Sequence, residues 1–270
     1  MKTILHCQHV SALILVALGF LSGSAMAGGS AVSKCGSEKY GEASIRSFSQ
    51  RINDRLDKEK VNVAIIARSG RPRAELPKGF SYTHVAFAVF EPVRTPEGNV
   101  SYTYTVYNLY QGDQGRNDRS YLAQDFTYDF VAGVMESDVA VCVPTEELQR
   151  RLLKVIRSPA YQTVHNPDYN LLTNPWVDRY DNCVTHAVKV CFAAIYQTDD
   201  RARIYENIHA YYRPTHVRLG LFKSIGTAFV ADISRKDMDP SGLQTASYNS
   251  LKSFLESNGL VKNSFTLSVN

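Results

Sequence analysis

The chain has 270 residues, of which 44% are hydrophobic, and its 30 basic and 26 acidic side chains give a formal net charge of +4. This composition is sufficient to bury a core. The small positive charge is spread along the chain, which argues against a nucleic-acid partner because such a partner requires a dense basic surface.

The first 27 residues have the pattern of a secretory signal peptide. Lys2 precedes the apolar run VSALILVALGFL, and the small-residue triplet AMA follows it at 25–27. This run is shorter than the ~20 apolar residues of a membrane span, and no other segment is long and apolar enough. We therefore predict a leader over 1–27, no transmembrane segment, and a periplasmic or secreted protein whose residues 28–270 form a single domain.

Helical and strand-like patterns alternate through the first half of the mature chain. Apolar residues at helical spacing predict a helix over 42–60. Runs rich in β-branched and aromatic residues predict strands over 61–69, 82–93, 101–112 and 138–144. The turn TPEGN predicts that the second and third of these strands form an antiparallel hairpin. A helix over 146–158 follows, with Thr145 as its cap.

The second half of the chain is predicted to be mainly helical. Residues 160–181 are polar and aromatic, as in a long ordered loop, and lead into a helix over 183–196 with a broad apolar face. Another helix covers 199–212. From about residue 215 we predict a helical C-terminal extension. The pattern as a whole predicts an α+β fold in which an antiparallel sheet packs against the cysteine-bearing helix.

Four cysteines lie outside the predicted leader: Cys35, Cys142, Cys183 and Cys191. An oxidising compartment permits disulfides. Two cysteines eight positions apart on one helix are ~12 Å apart, beyond the ~7 Å limit for a disulfide, so Cys183 and Cys191 cannot pair. Pairing of Cys35 with Cys142 is the simplest that would leave Cys183 free, and the pairing among Cys35, Cys142 and Cys191 stays open. The chain has no CxxC or HExxH spacing, and we predict neither a metal site nor a cofactor.

Cys183 stands between the polar turn RYDN and an apolar, helix-compatible run. A free thiol with a pKa of ~8.5 is mostly protonated at neutral pH, but the unpaired N–H groups at a helix start favour the thiolate and can stabilise an oxyanion. Asp181 or Asn182 is a suitable cap, which places the cysteine in the first turn. Cys183 is therefore a candidate nucleophile; the alternatives are a disulfide partner and a small buried side chain.

His84 and Asn108 are polar residues within two adjacent predicted strands. Papain-like hydrolases hold a base, its orienting residue and a nucleophile on two strands and a helix packed against them. We therefore predict His84 as the base and Asn108 as its orienting residue. The alternatives are a hydrogen-bonded core histidine and an ordinary polar residue at a strand end. His186, one helical turn after Cys183, is a rival base.

Three residues before the cysteine are predicted to form a substrate cleft: Trp176, Tyr180 and Asn182. The aromatic rings of Trp176 and Tyr180 are suited to the walls of a cleft. The alternative is that both rings pack against the loop and hold it in place.

Several stretches of the chain resemble a family of uncharacterised exported bacterial proteins, the domain-of-unknown-function family 2145. They are THVAFAV, YTVYNLYQG, HNPDYNLLTNPWVDRYDNCVTHAV and RARIYENIHAYYRPTHVRLG, and they extend from about residue 60 to 220. The order histidine, asparagine, cysteine also resembles circularly permuted NlpC/P60 papain-like enzymes. The resemblance implies a permuted papain-like domain whose sheet carries His84 and Asn108, with Cys183 at the start of a helix against it.

The chemistry implied by this resemblance is that of an amidase, peptidase, thioesterase or acyltransferase. We expect a cysteine hydrolase that attacks an amide or (thio)ester, with a peptide, peptidoglycan or acyl group as substrate. The second hypothesis is an exported binding or assembly module that keeps the same scaffold without turnover.

Overall fold

A six-stranded sheet in which every neighbouring pair is antiparallel forms the centre of the fold, in the order β4-β3-β2-β1-β5-β8. The computed structural model describes residues 35–114, 116–217, 236–237 and 242–270, so the predicted leader lies outside the described residues. The strands are β1 (Val63–Arg68), β2 (His84–Arg94), β3 (Val100–Asp113), β4 (Arg116–Phe126), β5 (Asp138–Pro144), β6 (Thr215–Val217), β7 (Leu243–Thr245) and β8 (Val261–Ser268). Strands β6 and β7 form a separate two-stranded sheet.

Helices cover both faces of the large sheet. They are α1 (Cys35–Tyr40), α2 (Glu42–Lys58), α3 (Thr127–Ala132), α4 (Glu146–Ile156), α5 (Ala160–Thr163), α6 (Cys183–Tyr196), α7 (Arg201–Tyr211) and α8 (Tyr248–Ser257), with a short 3-10 helix at Arg73–Glu75. The buried side chains of α4, α6, α7 and α8 pack on one face of the sheet, which we call the α6 face. The buried side chains of α2 and α3 pack on the opposite face, the α2 face. The fold is therefore α+β, as predicted.

The alternation of side chains along β1 shows how the sequence produces two cores. Ile65 and Ala67 belong to the core on the α6 face, whereas Ala64 and Ile66 belong to the core on the α2 face. Successive side chains of a strand point to opposite faces, and a strand covered on both sides is apolar at every position. The continuous run VAIIA is the sequence signature of this central strand.

The predicted hairpin is confirmed, and Phe87 of β2 faces Tyr107 of β3. The cap of α4 is also confirmed, because the hydroxyl of Thr145 accepts the Leu148 N–H. Two elements between the predicted strands over 101–112 and 138–144 have no counterpart in the sequence-based prediction. One is strand β4, whose sequence RNDRSYLAQDF is mostly polar, as suits a strand at the edge of the sheet. The other is the short helix α3.

The predicted C-terminal helical extension is wrong in its described part. This region contains one helix, α8, but its last strand pairs with β5 along its length, from Asp138↔Ser268 to Pro144↔Val261. It therefore belongs to the main sheet. The alternating burial of β8, whose side chains are at most partly buried before Val269, gives it a weaker apolar signal than the central strands.

The pairing of Cys35 with Cys142, the simplest that would leave Cys183 free, is not formed, because Cys142 is a free thiol. Its side chain lies in the core on the α6 face. Helix α1, by contrast, packs on α2 and α3 across the sheet. Cys183 and Cys191 are free as well, in agreement with the geometric argument against their pairing. Within the described residues, no helix has the length and apolar character needed to cross a membrane.

Candidate active site

Helix α6 begins at Cys183, and Asn182 is its cap. The Asn182 Oδ1 accepts the N–H groups of Val184 at 3.0 Å and Thr185 at 2.8 Å, and its Nδ2 donates to the Leu171 carbonyl at 3.0 Å. These bonds fix the first turn of the helix and tie it to the preceding loop. Among the described residues, the Cys183 N–H has no hydrogen-bond partner. The helix start therefore leaves one donor next to the sulfur.

The thiol of Cys183 lies against the backbone at the start of β2. Its Sγ is 3.7 Å from the Thr83 carbonyl, and the residue is 9% exposed. Burial raises the pKa of Cys183 because it disfavours the thiolate. The N–H groups of Val85 and Val184 and the charge of Arg68 favour the thiolate and act against this shift. The thiol is thus buried, but two backbone N–H groups and the Arg68 guanidinium would stabilise its thiolate.

His84 and Asn108 form a hydrogen-bonded pair, with 2.9 Å between His84 Nε2 and Asn108 Oδ1. The orientation of the amide follows from its other contacts. Asn108 Nδ2 donates to the Val106 carbonyl and to Asp125 Oδ2, each at 3.0 Å. Because Oδ1 can only accept, His84 Nε2 carries the proton and Nδ1 has the free lone pair. His84 Nδ1 has no hydrogen-bond partner among the described residues, so the pair presents an imidazole that can accept a proton.

The His84 ring is enclosed by aromatic side chains. It stacks on Tyr110 with 5.2 Å between the ring centres and lies 5.7 Å from Phe130 of α3. Burial, and secondly the charge of Arg68, lower the pKa of His84 to about 3, while the Asn108 bond acts the other way. The imidazole is therefore neutral across the physiological pH range.

His84 and Cys183, the predicted base and nucleophile, are close along β2 but are not bonded to each other. Among the described residues, no hydrogen bond joins Cys183 to His84. The sulfur contacts the backbone on both sides of the histidine, at Thr83 and Val85, whereas the ring packs on Phe130, which belongs to the α2 face. The structure thus brings His84 to Asn108, and Cys183 to the strand that carries His84.

Arg68 is a further residue at the site, and it was missed by the sequence-based prediction. It pairs in register with His84 at the end of β1 and is only 6% exposed. Its guanidinium lies 5.3 Å from the Phe130 ring centre, and its Nε has no hydrogen-bond partner among the described residues. A Cβ on Gly133 would lie 1.8 Å from its Nη1, so a larger residue there would force the guanidinium to move. The available signal was an arginine that ends an otherwise apolar strand.

Asp125 and Tyr110 complete this group of side chains. Asp125 Oδ2 accepts the Tyr110 hydroxyl at 2.7 Å in addition to the Asn108 amide. We call the five residues Arg68, His84, Asn108, Tyr110 and Asp125 the strand cluster. Asp125 was missed because it lies on β4, and the mostly polar sequence of that strand did not predict a strand.

The residues predicted to form a cleft are found in two places. Asn182 lines a pocket together with Cys183, and neither Trp176 nor Tyr180 is among the lining residues of that pocket. Trp176 Nε1 donates to the Tyr212 carbonyl at 3.2 Å. The Tyr180 ring lies under the guanidinium of Arg179, 5.8 Å from its centre. Both aromatic residues therefore contact other parts of the loop and the helices.

A second buried polar group lies further along α6 and includes the rival base. Asp181 Oδ2 accepts from Lys189 Nζ at 2.7 Å and from the Asn166 N–H at 2.8 Å. His186 Nδ1 is 3.9 Å from the same oxygen, and neither ring nitrogen has a hydrogen-bond partner among the described residues. We call Asn166, Asp181, His186 and Lys189 the loop cluster, because it holds the loop before Cys183 to the helix after it.

The charges of the loop cluster influence each other strongly. Burial raises the pKa of Asp181 to about 6 and lowers that of Lys189, and the ion pair between them acts against both shifts. Burial, then the charges of Lys189 and His165, hold the pKa of His186 well below its usual value. Within the described ranges, no group of three or more histidine, cysteine, aspartate or glutamate residues is arranged to hold a metal ion.

Fold and site together define a class of protein: a mixed α+β domain whose antiparallel sheet carries a histidine–asparagine pair and packs against a helix that begins with cysteine. The family described as "Uncharacterized protein conserved in bacteria (DUF2145)" matches residues 55–255, and the chain belongs to this family. No curated protein and no solved structure matches the chain.

Proposed function

We propose that the protein is an exported papain-like cysteine hydrolase that attacks an amide or (thio)ester. The observation that carries this proposal is the bond between His84 and Asn108, since it leaves the lone pair of the imidazole on Nδ1, where a proton can be accepted. The capped helix start at Cys183 supports it. In chain order, the two sheet residues precede the cysteine helix, which is the order of a permuted papain-like domain. The leader pattern at 1–27 supports action in the periplasm or outside the cell.

The proposed reaction has two halves. His84 Nδ1 takes the thiol proton, and the sulfur of Cys183 attacks the substrate carbonyl carbon, so that a C–S bond forms and the π electrons move to oxygen. The Cys183 N–H donates to that oxyanion. His84 returns the proton to the leaving amine, alcohol or thiol as its bond to carbon breaks. Water then loses a proton to His84 and attacks the thioester, the C–S bond breaks, and the thiol regains its proton.

This reaction requires Nδ1 and Sγ to come together. Catalytic hydrogen bonds are often long or absent without substrate and form in the substrate complex. The sulfur lies beside the backbone of residues 83–85, but Cys183 belongs to the α6 face and the His84 ring packs on Phe130 of the α2 face. The proposed reaction therefore requires the start of β2 to move.

A second candidate function is a binding or assembly module on the same scaffold, and three observations favour it. In the described structure the Cys183 thiol and the His84 imidazole are not bonded to each other. Burial raises the pKa of Cys183, and the pKa of His84 is about 3. A general base works best with a pKa near the working pH. These shifts are those of a buried, unreactive pair, and only a change of environment on substrate binding would reverse them.

Alkylation of the native, non-reduced protein by iodoacetamide tests the two functions. Intact mass and peptide mapping follow Cys183 against pH, with the fully buried thiols of Cys142 and Cys191 as internal controls. The hydrolase proposal predicts that Cys183 reacts first, and that His84→Gln and Arg68→Gln both shift its reactivity to higher pH, whereas Arg68→Lys keeps the charge and shifts it less. Equal labelling of Cys183 in all variants would favour the binding module. With an ester or amide substrate, Cys183→Ala should abolish turnover.

A further inference from the structure

A pocket opens beside the thiol and is walled mainly by apolar side chains. Cys183 and Val184 contribute from the helix start, and the remaining apolar wall consists of Leu76, Pro77, Phe80, Tyr82, Tyr169, Leu171, Leu172 and Ala246. Behind this wall, Leu172 packs with Val217 and Leu243 in a small core of its own, against which Phe80 and Leu171 lie. The pocket is therefore backed by packed structure.

Several of the polar side chains in the wall already make bonds within the fold. Asn182 uses its oxygen for the helix cap and its amide nitrogen for the Leu171 carbonyl. The Thr83 hydroxyl accepts the Gly70 N–H at 2.8 Å. The Ser247 hydroxyl caps α8 and also bonds to Thr215 at 2.7 Å. These groups present few free donors or acceptors to a ligand.

The charges that face the pocket have one sign. No aspartate or glutamate is among its lining residues, and the one ionised side chain among them is the exposed Arg71. A substrate ammonium group placed here would lose its hydration without gaining a carboxylate, which is strongly unfavourable. A cell-wall peptide that must bind through its free amine is therefore poorly suited to this pocket, whereas an alkyl or aromatic group is well suited to it.

We propose that the acyl group delivered to Cys183 is apolar, so that the protein acts on fatty-acyl esters, thioesters or amides. This inference rests on the proposed hydrolase function for its reaction, and on the pocket alone for its specificity. Each methylene buried in such a wall should raise the rate of acylation roughly fourfold, until the pocket is filled.

Thiol-specific methanethiosulfonate reagents test the pocket without requiring turnover. The Cys183 sulfur attacks the sulfenyl sulfur, a new S–S bond forms, and methanesulfinate leaves with the electron pair of the broken bond. The rate at which each reagent modifies Cys183 is divided by the rate of the same reagent with glutathione. The reagents carry methyl, butyl, hexyl, cationic trimethylammonioethyl and anionic sulfonatoethyl groups. We expect the hexyl reagent to exceed the methyl reagent at least tenfold, with the cationic reagent slowest.

Two phenylalanines provide a matched pair of variants. Phe80→Ser removes part of the wall and should reduce the preference for the hexyl reagent severalfold, while the methyl rate stays nearly unchanged. Phe90→Ser removes an equally partly buried phenylalanine from β2 outside the pocket and should leave the preference intact. Circular dichroism of both variants separates loss of the wall from loss of the fold.

Hydrolysis of p-nitrophenyl acetate and hexanoate separates this inference from the proposed function. A strong hexyl preference in labelling with no hydrolysis of either ester would support the apolar pocket and overturn the hydrolase. Hydrolysis that favours acetate, together with fastest labelling by the cationic reagent, would support the hydrolase and overturn the apolar specificity. If none of the five reagents modifies Cys183 in the native protein, the pocket does not give access to the sulfur, and the proposed apolar specificity is wrong.

Discussion

The strand cluster and the loop cluster both bury charged side chains close to Cys183, but they compensate those charges differently. In the loop cluster, the ammonium of Lys189 meets the carboxylate of Asp181 directly at 2.7 Å. In the strand cluster, the Asp125 carboxylate accepts bonds from Asn108 and Tyr110, and its charge acts on Arg68 without a direct ion pair within the described residues. Removing one member of a directly bonded pair leaves the other charge buried and uncompensated, whereas a cation held only at longer range from a carboxylate can still interact with an anion that arrives later.

The largest effect should follow from breaking the ion pair of the loop cluster. Lys189→Met leaves the Asp181 carboxylate buried without a counter-charge, and removal of one partner of such a pair costs about 3–5 kcal/mol of unfolding free energy. The matched control is Arg116→Gln, which removes an ion pair with Asp118 on the surface and should cost less than about 1 kcal/mol. Urea unfolding at neutral pH measures both. Similar small losses in the two variants would show that the buried pair contributes little.

A smaller effect is expected from closing the space that holds Arg68. In Gly133→Ala, the new Cβ would displace the guanidinium, and overpacking of this kind costs about 1–3 kcal/mol. Gly70→Ala is the control, because its Cβ would meet Thr83 Oγ1 at an ordinary 3.6 Å. The decisive measurement is iodoacetamide labelling of Cys183 against pH. It should move to higher pH in Gly133→Ala and not in Gly70→Ala; an unchanged profile would remove Arg68 from the electrostatics of the site.

The smallest effect concerns the pH dependence of stability. The pKa of His84 is about 3 in the folded protein and ~6.5 in an unfolded chain, so between these values the unfolded state binds more protons and stability falls as the pH falls. One such histidine contributes on the order of 1 kcal/mol per pH unit below pH ~6. His84→Gln should flatten the decline between pH 6 and 5 by this amount. Replacement of the exposed His209 by Gln should leave the slope as it is.

Strong local patterns made much of the fold predictable. The apolar run of β1, the turn before β3 and the cap Asn182 each depend on neighbouring residues, and each is confirmed. Strand β4 and the pairing of β8 with β5 depend on contacts between residues far apart in the chain. Edge strands are partly solvated, which weakens the alternation that would reveal them.

The site was predictable to a similar extent. The bond between His84 and Asn108 follows from neighbouring strands, and the hairpin that aligns them was visible in the sequence. The role of Arg68 depends on Gly133, which lies more than sixty residues later and makes room for the guanidinium. No local pattern records such a pairing. The same holds for the pocket, which is assembled from four separate segments of the chain.

The position of β8 has a consequence for the nascent chain. Strand β5 lies between β1 and β8, so its outer edge stays uncovered until residues 261–268 have been synthesised. An apolar strand with an open edge readily pairs with other chains. The sheet can therefore be completed only after residues 261–268 have been made, and until then the edge of β5 is open to pairing with other chains.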